Sequence, residues 1–287
     1  MFAALLALLA VGFIAVAPRV LAGATSLRRR PRAGLWLWQT SALAGVLCVV
    51  ATPLVAVHAL TSLPASPAND ASRGLSLAAL ALSAVVLARL LINAHLVGSR
   101  LRAARARHRT LVDLVGTHHS KHTRVLPHTM PTAYCVPGLR HRVVLSESAL
   151  ARLSEDELQA VIAHELAHLG ERHDLLLEYF AVVHRTAPSW LRSENAVREV
   201  ALLIERLADE AARHKVGEIP LARAMVSLAG ASTPEGALGI RTPGATAIRM
   251  EMLTAEEPSR AGTLAAYLLG IGALALPIII VVAAFVA

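Results

Sequence analysis

Apolar residues gather into four long runs, 1–22, 35–58, 75–97 and 262–287, and polar residues fill the stretches between them. Each run is near or above the roughly 20 residues that a helix needs to cross the hydrocarbon core of a bilayer. The pattern therefore predicts four transmembrane helices, the first three joined by short loops. The first run has no basic residue ahead of its apolar core, which favours a span over a cleaved signal peptide. The second opens on Trp36 and Trp38, and indole rings settle at the membrane interface. A stretch rich in Pro, Ser and Asn, 61–72, links it to the third.

Between the third and fourth runs the periodicity changes, and residues 99–261 read as one domain. Residues 100–116 continue the third helix, with Leu101, Leu111, Leu114 and Val115 as expected core contacts. Short extended runs follow at 123–126, 132–136 and 142–145, the last two parted by a Pro137-Gly138 turn, a hairpin-like pattern. Such a strand offers an edge to an extended substrate backbone, and is equally well a plain structural hairpin. Next, Ser154-Glu-Asp-Glu157 forms a capping box ahead of Leu158, Val161, Ile162 and Leu166, an apolar face at helical spacing with Gly170 as its stop. A second periodic helix carries Val197, Val200, Leu202, Leu203 and Leu207.

The first of these helices holds the chemistry. His164, Glu165 and His168 form H-E-x-x-H, and residues four apart on a helix share a face, so both imidazoles address one ion. Glu165, beside them, is the expected general base, since the spacing leaves it next to the ion without making it a ligand. A catalytic zinc takes three protein ligands and a water. Candidates for the third are His173, Asp174, Glu178, His184, Glu205, Asp209 and His214. His173 and Gly170 each fall one residue short of their places in H-E-x-x-H-x-x-G-x-x-H, so His173 is set aside. Glu205 and Asp209 lie four apart on the second periodic helix, which suits Glu205 as ligand and Asp209 as acceptor for the outer nitrogen of a ligand histidine. His214, five beyond Asp209, is expected to face elsewhere. The bland alternative is two surface histidines and a pair of solvated carboxylates.

Composition supports the membrane reading and adds a side. With 55% hydrophobic residues and a mean hydropathy of +0.54, the chain is too apolar for an ordinary soluble domain. Of 28 basic residues only Lys121 and Lys215 are lysine, and Ala and Leu dominate, as in a GC-rich bacterial genome. The net charge of +8 comes from arginines that flank the apolar runs, so lipid and topology account for it and no nucleic-acid partner is expected. Arg28, Arg29, Arg30 and Arg32 follow the first run; Arg100, Arg102, Arg105, Arg107 and Arg109 follow the third. Arginine-rich short loops stay in the cytosol. Both termini are therefore expected outside and residues 99–261 in the cytosol. Arg89, inside the third run, is expected to snorkel toward the cytosolic side. Cys48 and Cys135 make no disulfide framework.

H-E-x-x-H followed by E-x-x-x-D, with Thr132-Ala-Tyr-Cys-Val-Pro137-Gly138 and Val143-Val-Leu-Ser upstream and His173-Asp174 after the first helix, resembles the BlaR/MecR-type membrane metallopeptidases, relatives of the Ste/HtpX membrane proteases. The likeness covers most of residues 110–215 and the plan of three spans, a cytosolic domain and a fourth span. It implies a mainly α membrane protein with a gluzincin-like α+β domain, one zinc on His164, His168 and Glu205, Asp209 behind them, and Glu165 as base. It further implies a zinc endopeptidase that cuts a cytosolic protein such as a transcriptional repressor, in signal transduction. The HtpX side of the likeness implies quality control of membrane proteins instead. A non-catalytic zinc-stabilised transducer is the third reading, disfavoured because a structural site has no use for Glu165. Sensor-type members carry an extracellular beta-lactam-binding domain after the fourth span; this chain stops at Ala287 without one, so the resemblance does not extend to direct antibiotic sensing and leaves room for a separate sensor protein.

Overall fold

The computed structural model describes residues 1–61, 67–120, 122–229, 245–255 and 258–286. It divides into two compact units: residues 1–94, 182–197 and 258–287 form the first, and residues 95–181 and 198–257 the second. Residues 182–197, which sequence periodicity leaves with the polar domain, thus fall with the apolar helices.

The first unit is helical. Among the described residues, four helices are long and apolar enough to cross a membrane: Phe2–Gly23, Pro31–Leu60, Arg73–Val115 and Arg260–Val286. They are compatible with a multi-pass membrane protein. The first of them is made of α1 (Phe2–Val11), a wider π-type stretch and α2 (Ala17–Gly23). It is followed by α3 (Pro31–Thr61) and α4 (Pro67–Val115). Proline suits the first turn of a helix, where its missing N–H is not needed. The expected linker at 61–72 is accordingly helical from Pro67 onward, and its residues 62–66 lie outside those described. The last helix, α11 (Arg260–Val286), packs on α3. Gly270 permits that approach, because a Cβ there would stand 2.4 Å from Trp36 Nε1. The Trp36 indole donates to the Tyr267 carbonyl at 3.3 Å.

The second unit begins with the end of α4 and a four-stranded sheet of β1 (Thr117–His118), β2 (Thr123–Leu126), β3 (Ala133–Val136) and β4 (Arg142–Ser146), in the order β1-β2-β4-β3. The expected hairpin is β3–β4, antiparallel with Cys135 opposite Val143. β2 instead pairs parallel with β4, because the chain passes round β4 before entering β3, and this leaves β3 as an edge. Tyr134, Val136 and Val144 bury one sheet face against Val112 of α4. Here the sequence reading is corrected: Leu111, Leu114 and Val115 are exposed and Leu101 is half-buried, while Val112 turns inward, since each helical residue rotates by about 100° from the last.

Five helices then follow in this unit in whole or part: α5 (Glu147–Arg152), α6 (Glu155–Gly170), α7 (His173–Thr186), α8 (Glu194–Val216) and α9 (Glu218–Ser227), with α10 (Ala245–Leu253) beyond the residues left undescribed. The capping box at the start of α6 is present: Ser154 Oγ accepts from Glu157 N–H, and Glu157 accepts from Ser154 N–H. Leu158, Val161, Ala160 and Ala163 bury against Leu221, Ala224 and Met225 of α9, whereas Leu166 is exposed. α6 ends at Gly170 as expected, and the reversal falls on Arg172, whose φ of 53° is left-handed. Two residues of turn suffice to start α7 at His173.

Candidate metal centre

The capped start of α6 fixes its rotation, and helical spacing then aims His164 and His168 at the same point. Their Nε2 atoms stand 3.2 Å apart. From α8, Glu205 brings Oε2 to 3.5 Å from His164 Nε2 and Oε1 to 3.5 Å from His168 Nε2. All three side chains are buried, and they form a group with mutual ligand-atom spacing within 4.8 Å. Two imidazole nitrogens and a carboxylate oxygen drawn this close are the donor set that a catalytic zinc takes from a protein. The donor set and its spacing therefore fit one zinc ion.

Around this triangle stands a ring of supporting groups. Asp209, fully buried on α8, places Oδ1 3.1 Å from His164 Nδ1, off the line of the N–H. Arg249 of α10 grips Asp209 with two bonds, Nε to Oδ2 at 2.8 Å and Nη2 to Oδ1 at 2.6 Å, and reaches Glu205 Oε2 with Nη1 at 2.9 Å. His173 is fully buried, and its Nδ1 lies 2.9 Å from His168 Nδ1. If His168 Nε2 is to offer a lone pair, its proton sits on Nδ1, so His173 Nδ1 is the acceptor and its own proton is on Nε2. That nitrogen faces Glu171 Oε2 at 3.6 Å.

The charges balance unevenly. Burial opposes a charged His164, but the Asp209 and Glu205 carboxylates beside it outweigh that and hold this imidazole up at about 10. Burial dominates at His168 and pushes it down to about 3, against the pull of Glu205. For Glu205 and Asp209 burial favours the neutral acid, yet Arg249 and His164 overcome it and both carboxyls stay well below the usual range. Glu165 goes the other way: burial raises it, only partly offset by His164 and by the nearby Cys135 thiol of β3. Glu165 Oε2 is buried with no protein partner.

Of the candidates read from the sequence, the structure brings together His164, Glu165, His168, Glu205 and Asp209. His173 stands behind His168, on the far side from the triangle. Asp174 and Glu178 face Arg105 instead, at 3.3 and 3.9 Å. His184 pairs with Glu194 at 3.2 Å, and His214 is exposed. Arg249 was not legible in advance. It lies 40 residues past Asp209, and an arginine in a short apolar segment carries no spacing signal.

A buried His-His-Glu triangle on two helices beside a small sheet defines a candidate metallopeptidase centre. Residues 98–201 match Peptidase family M48, a segment that contains His164, Glu165 and His168 and ends before Glu205. The match supports the M48 metallopeptidase family, whose peptidases are typically zinc-dependent. No curated protein and no solved structure matches the chain.

Proposed function

We propose that this chain is a membrane-embedded zinc endopeptidase that hydrolyses peptide bonds at the cytosolic face, and that its substrate is a regulatory protein such as a transcriptional repressor. The observation that carries the enzymatic part is the unpartnered, buried Glu165 carboxylate beside the His164–His168–Glu205 triangle. Those three residues would hold zinc, which when bound makes water acidic enough to lose a proton near neutral pH. Glu165 accepts that proton from the attacking water and returns it to the leaving amine. Burial raises its pKa, which makes the carboxylate a better acceptor for that proton. Asp209, itself fixed by Arg249, orients His164, and His173 orients His168. The place of β3 at the end of the sheet supports binding of an extended peptide by strand addition.

The membrane part rests on the four apolar helices, and the cytosolic side on the arginines that flank the first and third of them. The repressor rests on the resemblance of the motif-bearing segment to BlaR/MecR-type peptidases. Comparative proteomics of cells carrying wild type or Glu165→Gln tests the whole reading. A cytosolic regulator cut only in the wild type is the expected result; cut proteins confined to membrane debris contradict the regulatory role.

A further inference from the structure

Beside the metal centre, and within the second unit, lies a cavity of about 810 Å³ whose walls come from three places. One is a single face of α4, where Arg102, Arg105 and Arg109 fall at helical spacing. The second is the turn that joins β3 to β4, with Arg140 at its exposed rim. The third is the junction of α6 and α7, where Arg172 extends a side chain that is 60% exposed. Five arginines line the cavity against two carboxylates, Asp174 and Glu178. Asp174 is engaged by Arg105 and by Arg172 Nε, each at 3.3 Å, and Glu178 by Arg105 at 3.9 Å, while Arg105 still keeps a buried Nε with no partner. The cavity therefore carries a positive excess with donors to spare.

We propose that this cavity is a substrate subsite that selects acidic residues of the polypeptide, to one side of the bond that is cut. The proposal rests on the reading of the chain as an endopeptidase with its substrate along β3, and names what that substrate must carry. The placement argues for it. A peptide laid along β3, the last strand of the sheet, runs past Val136 onto Pro137, and there the cavity begins. Leu169, directly after His168, closes the same cavity from the metal side. At roughly 3.3 Å per extended residue, a few residues carry the peptide from one to the other. Arg109 Nη1 donates to the Pro137 carbonyl at 2.9 Å, and Gly138 takes a φ of 140° that glycine favours. Guanidinium groups bind aspartate and glutamate side chains bidentately, so arginine rather than lysine suits such a site. Anionic lipid headgroups would satisfy the same charge, but they would not require it at the end of the edge strand.

The test uses full-length, zinc-loaded Glu165→Gln protein in nanodiscs of zwitterionic lipid, so that binding is read without turnover. Labelled peptides with a run of glutamates, or of serines, on one side of a common centre are titrated by fluorescence anisotropy. The acidic peptide is expected to bind more tightly, and the exposed-residue pair Arg140→Gln with Arg172→Gln to weaken it about tenfold while leaving the serine peptide unchanged. Restoring Glu165 should convert the same difference into KM, with little change in kcat. Equal binding of the two peptides, or equal weakening of both, overturns the proposal. So does a result in which the arginine pair governs capture of phosphatidylglycerol vesicles but not of the acidic peptide. If wild type cleaves nothing while acidic binding stays arginine-dependent, the endopeptidase reading fails and the acidic subsite stands. Cleavage of acidic and serine peptides alike does the reverse.

Discussion

Arg249 and Asp209 are joined by two short bonds, 2.8 and 2.6 Å, and Arg249 Nη1 holds Glu205 at 2.9 Å as well. One cation from α10 thus keeps two buried carboxylates ionised, one facing the metal position and one behind His164. Removing one partner of a buried ion pair costs about 3–5 kcal/mol, because the other charge is left without compensation. Arg249→Ala is therefore expected to lose about that much stability when metal is stripped, and markedly less when zinc is loaded and supplies positive charge beside Glu205. Thermal unfolding of chelated and loaded preparations measures both, and an equal loss in the two contradicts the assignment.

His173→Ala should keep zinc in the site but weaken it by about 10-fold to 100-fold, the usual effect of removing a group that orients a ligand histidine. His173→Asn should recover part of the loss, since its amide oxygen can accept from His168 Nδ1–H where the imidazole nitrogen did. Chelator competition reads the affinities. An empty site in His173→Ala would make His173 a ligand and undo the triangle.

Much of this centre was legible in the chain. His164, Glu165 and His168 follow from helical spacing behind a capping box, and Glu205 with Asp209 from the same spacing on a periodic helix. What was not legible is tertiary. Arg249 reaches Asp209 only because α10 returns to α8, and no local pattern records that. The spacing of His173 from a ligand pattern says nothing of its role, which depends on the reversal at Arg172 that places it at His168 Nδ1. The apolar residues of 100–116 gave no sign that Val112 rather than Leu111 faces the sheet, nor did the strands announce that β2 would pair parallel with β4. Hydrophobic runs give lengths and faces; pairing partners are decided by the rest of the fold.

Zinc binding should be proton-linked. His164 is held at about 10 in the metal-free protein, and a ligand imidazole must be neutral. A raised pKa means the proton is bound below that value, so metal must displace it there, and affinity falls as pH falls. Between about pH 7 and 9 the apparent affinity is expected to rise about tenfold per unit, with about one proton released per zinc. Calorimetry in buffers of different ionisation enthalpy counts that proton; a pH-independent affinity would refute the coupling to Asp209 and Glu205.

The arginine distribution predicts the side of the membrane. A reporter active only in the cytosol should work when fused after Ser120 and fail when fused within residues 64–69. The opposite pattern would place the metal centre outside and remove cytosolic regulators from consideration.

The central claim is that His164, His168 and Glu205 hold a zinc ion that Glu165 turns to peptide hydrolysis. Metal analysis and peptidase assay on the same purified samples test it most directly. Wild type and Glu165→Gln should each hold about one zinc per chain, His164→Ala and Glu205→Gln should lose most of it, and only wild type should cut peptide. Peptidase activity retained in Glu165→Gln, or zinc retained in Glu205→Gln and lost in His173→Ala, would contradict the account.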